Sequence, residues 1–251
     1  MKNVLKATSF HFGRYLIWMG QAFLRPERLN MYWKETLRQM NSIGIGSLVI
    51  IGVISIFIGA VTAVQFAYQM QGSIIPRYYV GYIVRDMTII ELAPTFSCML
   101  LAGKVGSNLA AEIGGMRQKE HIDAMEIMGV NTAAYLVQPK IIAALTVIPM
   151  LVCIGAFISI IGGYIAVVPT GWFSHGEYIQ GLRSFFEPYN VWMMFVKALV
   201  FAFILTTVSC YQGYFVKGGS IELGDASTRA VVYSNILILL SDYVIAMLMT
   251  S

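Results

Sequence analysis

The chain has 251 residues, of which 57% are hydrophobic and only 12% charged, and its formal net charge is +4. Soluble domains carry about 25% charged residues, and a soluble domain of this length still leaves about a quarter of its surface in water. The composition therefore excludes an ordinary soluble enzyme, a disordered chain and a disulfide-rich secreted scaffold. It predicts an integral membrane protein.

The N-terminal segment is predicted to be an interfacial amphipathic helix. Residues 10–23 mix large apolar side chains with His11, Arg14 and Gln21, whereas a signal peptide would continue directly into an uninterrupted apolar run. Pro26 is expected to end or kink this helix. We accordingly divide the chain into a cytoplasmic or interfacial segment, residues 1–40, and a transmembrane domain, residues 41–251.

Five apolar stretches are long enough to span a bilayer, which takes about 20 residues of helix. Three contain no Lys, Arg, Asp or Glu, and the other two contain one acid each, Glu91 and Asp242. The predicted fold is therefore an all-α membrane protein with five transmembrane helices. The spans are predicted at residues 43–70, 87–110, 141–176, 198–216 and 230–250.

The distribution of Lys and Arg predicts the orientation. Seven precede the first span, whereas the loop after it has only Arg77 and Arg85, and the loop after the third span has only Arg183. Basic residues concentrate on the cytoplasmic side of membrane proteins. We expect a cytoplasmic N-terminus and a C-terminus on the outer, periplasmic side.

The loop between spans two and three has a different character from the rest of the chain. Gly114-Gly115 is expected to break the second span, and residues 116–128 to form a short amphipathic helix with Ile122, Met125 and Met128 on one side. Gly129 suits its C-terminal cap. The pattern fits a helix that binds a cytoplasmic partner, or alternatively an interfacial helix packed beneath the bundle.

Motifs for catalysis are missing from the sequence. It contains no GxxxxGK[ST] phosphate loop, no HExxH zinc motif and no GxSxG nucleophile elbow. Cys98, Cys153 and Cys210 are isolated in apolar runs, so no zinc site or disulfide framework is indicated. We predict a transport protein with no catalytic or metal-binding residues rather than an enzyme.

Four segments carry a resemblance to a known family. They read ELAP at 91–94, LAGKVGSN at 101–108, AAEIGGM at 110–116 and EHIDAMEIMGV at 120–130. Together they resemble the signature of MlaE-type permeases, the membrane subunits of ABC transporters that work with MCE-domain proteins to move lipids between the two membranes of a bacterial envelope. The family often has Arg before the Glu of the first segment, where this chain has Ile90.

The resemblance implies a homodimer in the bacterial inner membrane that transports phospholipid and maintains outer-membrane lipid asymmetry. It also implies a separate cytoplasmic ATPase that binds ATP and Mg, an MCE-domain protein on the outer side, a small STAS-type accessory subunit as a further partner, and no nucleic acid. The loop helix, about residues 115–129, would be the coupling helix seated in the ATPase. The residues expected to take part are Glu112, Gly115, Met116, Lys119, Glu120, Asp123, Met125 and Glu126.

Charged residues inside membrane spans are usually functional because burying them in hydrocarbon is costly. Counting about 1.5 Å per helical residue places Glu91, Lys197 and Asp242 in one layer of the outer half. They are predicted either to line a lipid pocket with Leu92 and Pro94, in which Lys197 attracts a phosphate, or to form a buried structural ion pair.

The sequence also indicates where helices pack closely and leaves one alternative function open. Gly155, Ser159 and Gly163 recur every four residues, which favours close packing against another helix. The alternative function is an ion-coupled secondary transporter that uses Glu91 or Asp242 as a proton carrier. Such transporters often contain internal repeats, and none is visible here.

Overall fold

The computed structural model describes residues 2–23, 29–70, 76–171 and 173–250, and every regular element in these ranges is helical. Within one of the longer helices, the stretches Thr88–Phe96 and Ala102–Gly106 are wider, π-helical turns. Pro26, which is predicted to end the first helix, lies outside the described residues. In chain order the helices are α1 (Lys2–Phe23), α2 (Leu29–Gln69), α3 (Tyr79–Gln118), α4 (His121–Ile127), α5 (Thr132–Val167), α6 (His175–Arg183), α7 (Pro188–Tyr214) and α8 (Ser220–Thr250).

Five of these helices, α2, α3, α5, α7 and α8, are long and apolar enough to cross a membrane. A helix satisfies its backbone hydrogen bonds internally, which is what a lipid environment demands. The predicted all-α membrane fold with five spans is therefore confirmed. The helices extend beyond the apolar windows, because their polar end turns continue the same backbone hydrogen bonding.

The third span differs from its predicted limits of 141–176. Helix α5 begins earlier, at Thr132, and includes Lys140, whose Nζ lies 2.6 Å from Glu112 Oε2. It ends earlier too, at Val167, before a turn in which Gly171 has φ of +74°. A capping box then starts α6. An absence of charge thus located the span but not its ends, which depend on ion pairing and capping.

Arg85, counted above as a loop residue, is instead a buried residue of α3 with 3% of its surface exposed. Its guanidinium donates hydrogen bonds to the carbonyls of Leu182, Ser184 and Phe185 at 2.7, 2.8 and 3.0 Å. It also lies 2.7 Å from a carboxylate oxygen of Asp86. Arg85 therefore fixes the segment that follows α6.

The chain divides into two compact units. The first comprises Met1–Ile43, Ala102–Thr146 and Phe203–Leu237, and the second comprises Gly44–Leu101, Val147–Ala202 and Ile238–Ser251. Each unit contains portions of several helices. The predicted division at residue 40 does not coincide with these boundaries and stays a prediction.

In the first unit, helix α1 packs one face on the protein. Trp18 and Ala22 are buried in a core with residues of α3, α4, α5 and α7. The Trp18 ring lies 5.5 Å from that of Tyr214, and Gln138 Nε2 donates a 2.7 Å hydrogen bond to the Ala22 carbonyl. The opposite face is apolar and exposed, which suits the predicted membrane surface. The exposed side chains are Phe10, Leu16, Ile17 and Phe23.

In the second unit, α2 and α5 approach so closely that their backbones touch. A Cβ added at Gly59 would overlap the carbonyl oxygen of Ser159, and one added at Gly162 would overlap that of Ile56. A Cβ at Gly155 would lie 3.0 Å from Ser55 Oγ. Only glycine permits this separation, because any side chain at these positions would push the helices apart.

Candidate functional site

The three charged residues predicted to share a layer meet in the second unit. Lys197 Nζ of α7 lies 3.0 Å from Glu91 Oε1 of α3 and 2.7 Å from Asp242 Oδ1 of α8. The Lys197 side chain is fully buried, Asp242 is 16% exposed, and Glu91 is 40% exposed. We call these three residues the ionic cluster. It contains one positive and two negative charges, and its exposed edge is the Glu91 carboxylate.

A π-helical stretch positions Glu91. Thr88–Phe96 contains Pro94, which has no backbone N–H, and its ring would clash with the carbonyl four residues earlier in a regular α-helix. The wider π turn relieves that clash. Such stretches are frequent at functional sites. Pro94 itself is buried, so its contribution here is to backbone geometry.

The geometry bears on the two roles considered for Lys197. A lysine ammonium has three N–H donors, and two carboxylates already lie within ion-pair distance of it. The structural ion pair is therefore present, with both acids rather than one. The Lys197 ammonium is fully buried beside these two carboxylates, and phosphate binding at this residue stays a prediction.

Leu92, the residue after Glu91, lines a narrow cleft between α2, α3 and α5 in the second unit. Its walls are apolar apart from three serine hydroxyls, which suits an acyl chain or a neighbouring helix better than a polar solute. Gly155 and Ser159, predicted as packing residues, lie in this cleft, whereas Gly163 packs near Tyr178. The lining residues are Ile51, Ile54, Ser55, Ile58, Leu92, Ala93, Ser97, Leu100, Gly155 and Ser159.

The loop before α5, predicted as the coupling segment, begins later than expected. Gly114 and Gly115 do not break α3, which continues to Gln118. The break comes at Lys119 and Glu120, and Glu120 adopts φ of +58°. Gly114 instead lies at a tight helix contact, since a Cβ there would overlap the end of the Leu223 side chain. Helix α4, His121–Ile127, is therefore shorter than the predicted 116–128.

The end of α4 is capped as predicted. Gly129 has φ of +80°, and its N–H donates to the Glu126 carbonyl at 3.0 Å. The apolar residues divide differently from the prediction. Ile122 is buried and Met125 packs against the same core, but Met128 is 71% exposed, and the neighbouring Ile127 is 88% exposed. Helix α4 thus presents an apolar tip to its surroundings.

Three of the four acids predicted for ATPase coupling have ion-pair partners within the first unit. Glu112 pairs with Lys140 at 2.6 Å. Asp123 Oδ1 lies 2.9 Å from Arg117 Nη1, and Glu126 Oε1 lies 3.7 Å from the same nitrogen. Of the remaining predicted residues, Lys119 and Glu120 are exposed, Met116 packs against the core, and a Cβ at Gly115 would meet open space.

Sequence reasoning missed four residues of this region. Arg117, Thr132, Lys140 and Tyr214 are not among the residues predicted for it. Tyr214 Oη donates to Glu126 Oε1 at 2.9 Å and lies 2.7 Å from Thr132 Oγ1. Tyr214 is 82 residues from Thr132 in sequence, so no local pattern could have indicated this contact.

Comparison with known proteins places these features in a family. A family model described as Permease MlaE matches residues 36–248. A probable ABC transporter permease protein of Rickettsia bellii (strain RML369-C) is 36% identical over 93% of this chain and 90% of its own length. The intermembrane phospholipid transport system permease protein MlaE of Haemophilus influenzae is 27% identical over 94% of this chain and 91% of its own length. Protein TRIGALACTOSYLDIACYLGLYCEROL 1, chloroplastic, of Arabidopsis thaliana is 26% identical over 90% of this chain and 65% of its own length.

Proposed function

This chain belongs to the MlaE permease family, and from that premise we propose that it carries phospholipid between the inner and outer membranes of a bacterial envelope. The resemblance seen in its loop motifs is confirmed, and the chain is the permease subunit of an ABC transporter. Membership of an ABC transporter permease family argues against the alternative function, an ion-coupled secondary transporter. We propose that the transport maintains the lipid asymmetry of the outer membrane.

The ionic cluster is the observation that carries the proposal. Charges are rare within apolar spans and mark substrate paths, and here the half-exposed Glu91 is followed directly by Leu92 of the cleft. A polar edge next to an apolar cleft matches the two ends of a phospholipid. In this proposal the cluster contacts the headgroup region, and the cleft, which encloses only about 10 Å³ in this structure, widens to accept apolar chain.

A photo-crosslinking amino acid at Leu92 tests this proposal. The assembled transporter is purified in detergent and washed until bulk lipid is removed, then irradiated with and without ATP. We expect phospholipid adducts at Leu92 that change in amount with ATP. The matched control is Phe157 of α5, which is 69% exposed and should lose its lipid on washing. Equal capture at both positions would contradict a pocket at Leu92.

We propose that a separate cytoplasmic ATPase, which binds the ATP and Mg, docks on α4. The apolar tip formed by Ile127 and Met128 supports this, because exposed apolar residues at a helix end suit a hydrophobic groove in a partner. Methionine adapts easily to such a groove. The exposed charged residues Lys119 and Glu120, at the opposite end of α4, would contribute further polar contacts.

We further propose that two copies of the permease associate in the inner membrane. In α3, α5 and α7 about half of the apolar window is buried, against 28% in α2 and 11% in α8. A second copy would cover part of α2 and α8, and symmetric dimers are the commonest oligomers.

An MCE-domain protein on the outer side and a STAS-type subunit complete the proposed complex. The N-terminus would be cytoplasmic and the C-terminus periplasmic, which labelling of single cysteines at each end would test.

A further inference from the structure

Three helices of the first unit meet at one hydroxyl group. Tyr214 is the last residue of α7, Thr132 is the first residue of α5, and Glu126 belongs to α4. The Tyr214 hydroxyl donates to Glu126 Oε1 at 2.9 Å, and Thr132 Oγ1 lies 3.2 Å from the same carboxylate oxygen. The two hydroxyl oxygens are 2.7 Å apart. We call these three residues the Tyr214 junction.

The tyrosine side of the junction is rigidly held. Tyr214 is 8% exposed, and its ring packs 5.5 Å from that of Trp18 and 5.0 Å from that of Phe215. The Arg117 guanidinium lies 5.9 Å from the centre of the Tyr214 ring, and the hydroxyl contacts Thr132 and Glu126. A tyrosine hydroxyl fixed by its ring gives a hydrogen bond of defined direction, because the ring has no remaining freedom to follow a moving acceptor.

The other side of the junction is an exposed helix. The Glu126 side chain is 46% exposed, and the adjacent Ile127 is 88% exposed. Besides the buried Ile122, α4 is held by the ion pair of Asp123 with Arg117 of α3. Arg117 thus ties α4 to the helix that precedes it, whereas the Tyr214 hydroxyl ties it to a helix far along the chain.

We propose that the Tyr214 hydroxyl is a positioning group for transport, which makes the last turn of α7 follow any displacement of α4. The inference rests on the proposed function, in which the ATPase moves α4. Helix α7 also carries Lys197 of the ionic cluster. A displacement of Glu126 is therefore transmitted to α7, the helix that carries the positive charge of the ionic cluster. Without the hydroxyl, α4 remains packed through Ile122 and paired with Arg117, but it loses its hydrogen bond to α7.

The test compares Tyr214→Phe with wild type in the complete transporter, co-expressed with its ATPase and reconstituted into phospholipid vesicles. Two quantities are measured, the rate of ATP hydrolysis and the transfer of a fluorescent phospholipid. A hydrogen bond to a charged acceptor is worth a factor of about ten in an equilibrium. We expect Tyr214→Phe to keep its hydrolysis while phospholipid transferred per ATP falls about ten-fold.

Tyr15→Phe is the matched control. Tyr15 donates a 2.8 Å hydrogen bond to Thr207 in the same unit and lies next to the same aromatic cluster, but this bond joins α1 to α7 rather than α4 to α7. Burial raises the pKa of the Tyr15 hydroxyl above its usual 10.0, so it is a donor at neutral pH just as an ordinary tyrosine is. We expect Tyr15→Phe to leave the transfer per ATP unchanged. Thr132→Val, which removes the second hydroxyl, should lower that ratio in the same direction as Tyr214→Phe.

Three outcomes overturn the inference. Transfer per ATP that is unchanged in Tyr214→Phe shows that the hydroxyl does not link the helices. An equal fall in Tyr15→Phe shows a general effect of losing a hydroxyl. A Tyr214→Phe complex that does not assemble shows that the hydroxyl serves folding rather than coupling. Failure of the proposed function is distinguishable, because the wild-type complex itself would then transfer no phospholipid.

Discussion

Replacing Lys197 by methionine should destabilise the permease strongly. Methionine keeps much of the length of the lysine side chain and removes its charge, leaving Asp242 and Glu91 without their cation. Removing one partner of a buried ion pair costs about 3–5 kcal/mol, because the remaining charge is left uncompensated. The fully buried ammonium and the 16% exposed Asp242 place this cluster in that class. We therefore expect a loss near the upper part of that range.

Thermal unfolding in detergent, followed by the soluble fraction on size exclusion, measures the effect. At about 2–4 °C per kcal/mol for a chain of this size, a loss of about 4–5 kcal/mol should lower the midpoint by roughly 8–20 °C. The control is Lys104→Met. Lys104 also lies in a membrane-spanning helix, but its side chain is exposed, so its replacement should shift the midpoint by about 2 °C or less.

The triple variant Lys197→Met, Glu91→Gln, Asp242→Asn separates the two roles of the cluster. With all three charges removed no buried ion remains unpaired, and most of the lost stability should return. Restored phospholipid transfer along with stability would make the cluster purely structural. Restored stability without transfer would assign it to substrate handling. A Lys197→Met midpoint equal to wild type, or a triple variant as unstable as the single one, would refute the electrostatic reasoning.

Three further predictions follow from particular contacts. Ile127→Asp should reduce retention of the ATPase on the purified permease at least ten-fold, because it places a charge in the proposed apolar contact, and undiminished co-purification would contradict docking at α4. Gly59→Val should lower stability by about 1–3 kcal/mol in thermal unfolding, since its side chain must overlap Ser159, whereas Gly115→Ala, which meets open space, should be neutral or slightly stabilising. Cysteine introduced at the exposed Phe57 of α2, with the native cysteines replaced by serine, should crosslink two permease copies in membranes, and a monomeric mass for the intact transporter would exclude the dimer.

The sequence by itself determined that this is a membrane protein and that it has five spans. Both follow from composition over windows of about 20 residues, since a helix must be apolar over that length to cross hydrocarbon. The contiguous motifs from Glu91 to Val130 were also enough to identify the family, and the C-terminal cap at Gly129 was read from one residue type. These properties depend on residues that are close together in the sequence, so they can be predicted from short segments of it.

Only the tertiary structure decided where the charges go. Arg85 and Lys140 lie inside helices because distant carbonyls and Glu112 compensate their charge, which hydropathy cannot register. Sequence counting placed Lys197 in one layer with Glu91 and Asp242, where the three residues do meet, but left open whether one acid, two acids or a lipid neutralises it. Gly114 was taken for a helix break, although it lies within a continuous helix and packs closely against Leu223 and Val216. In each case the deciding partner is remote along the chain, and the free energy of a buried charge or a close backbone contact depends on that partner rather than on neighbouring residues.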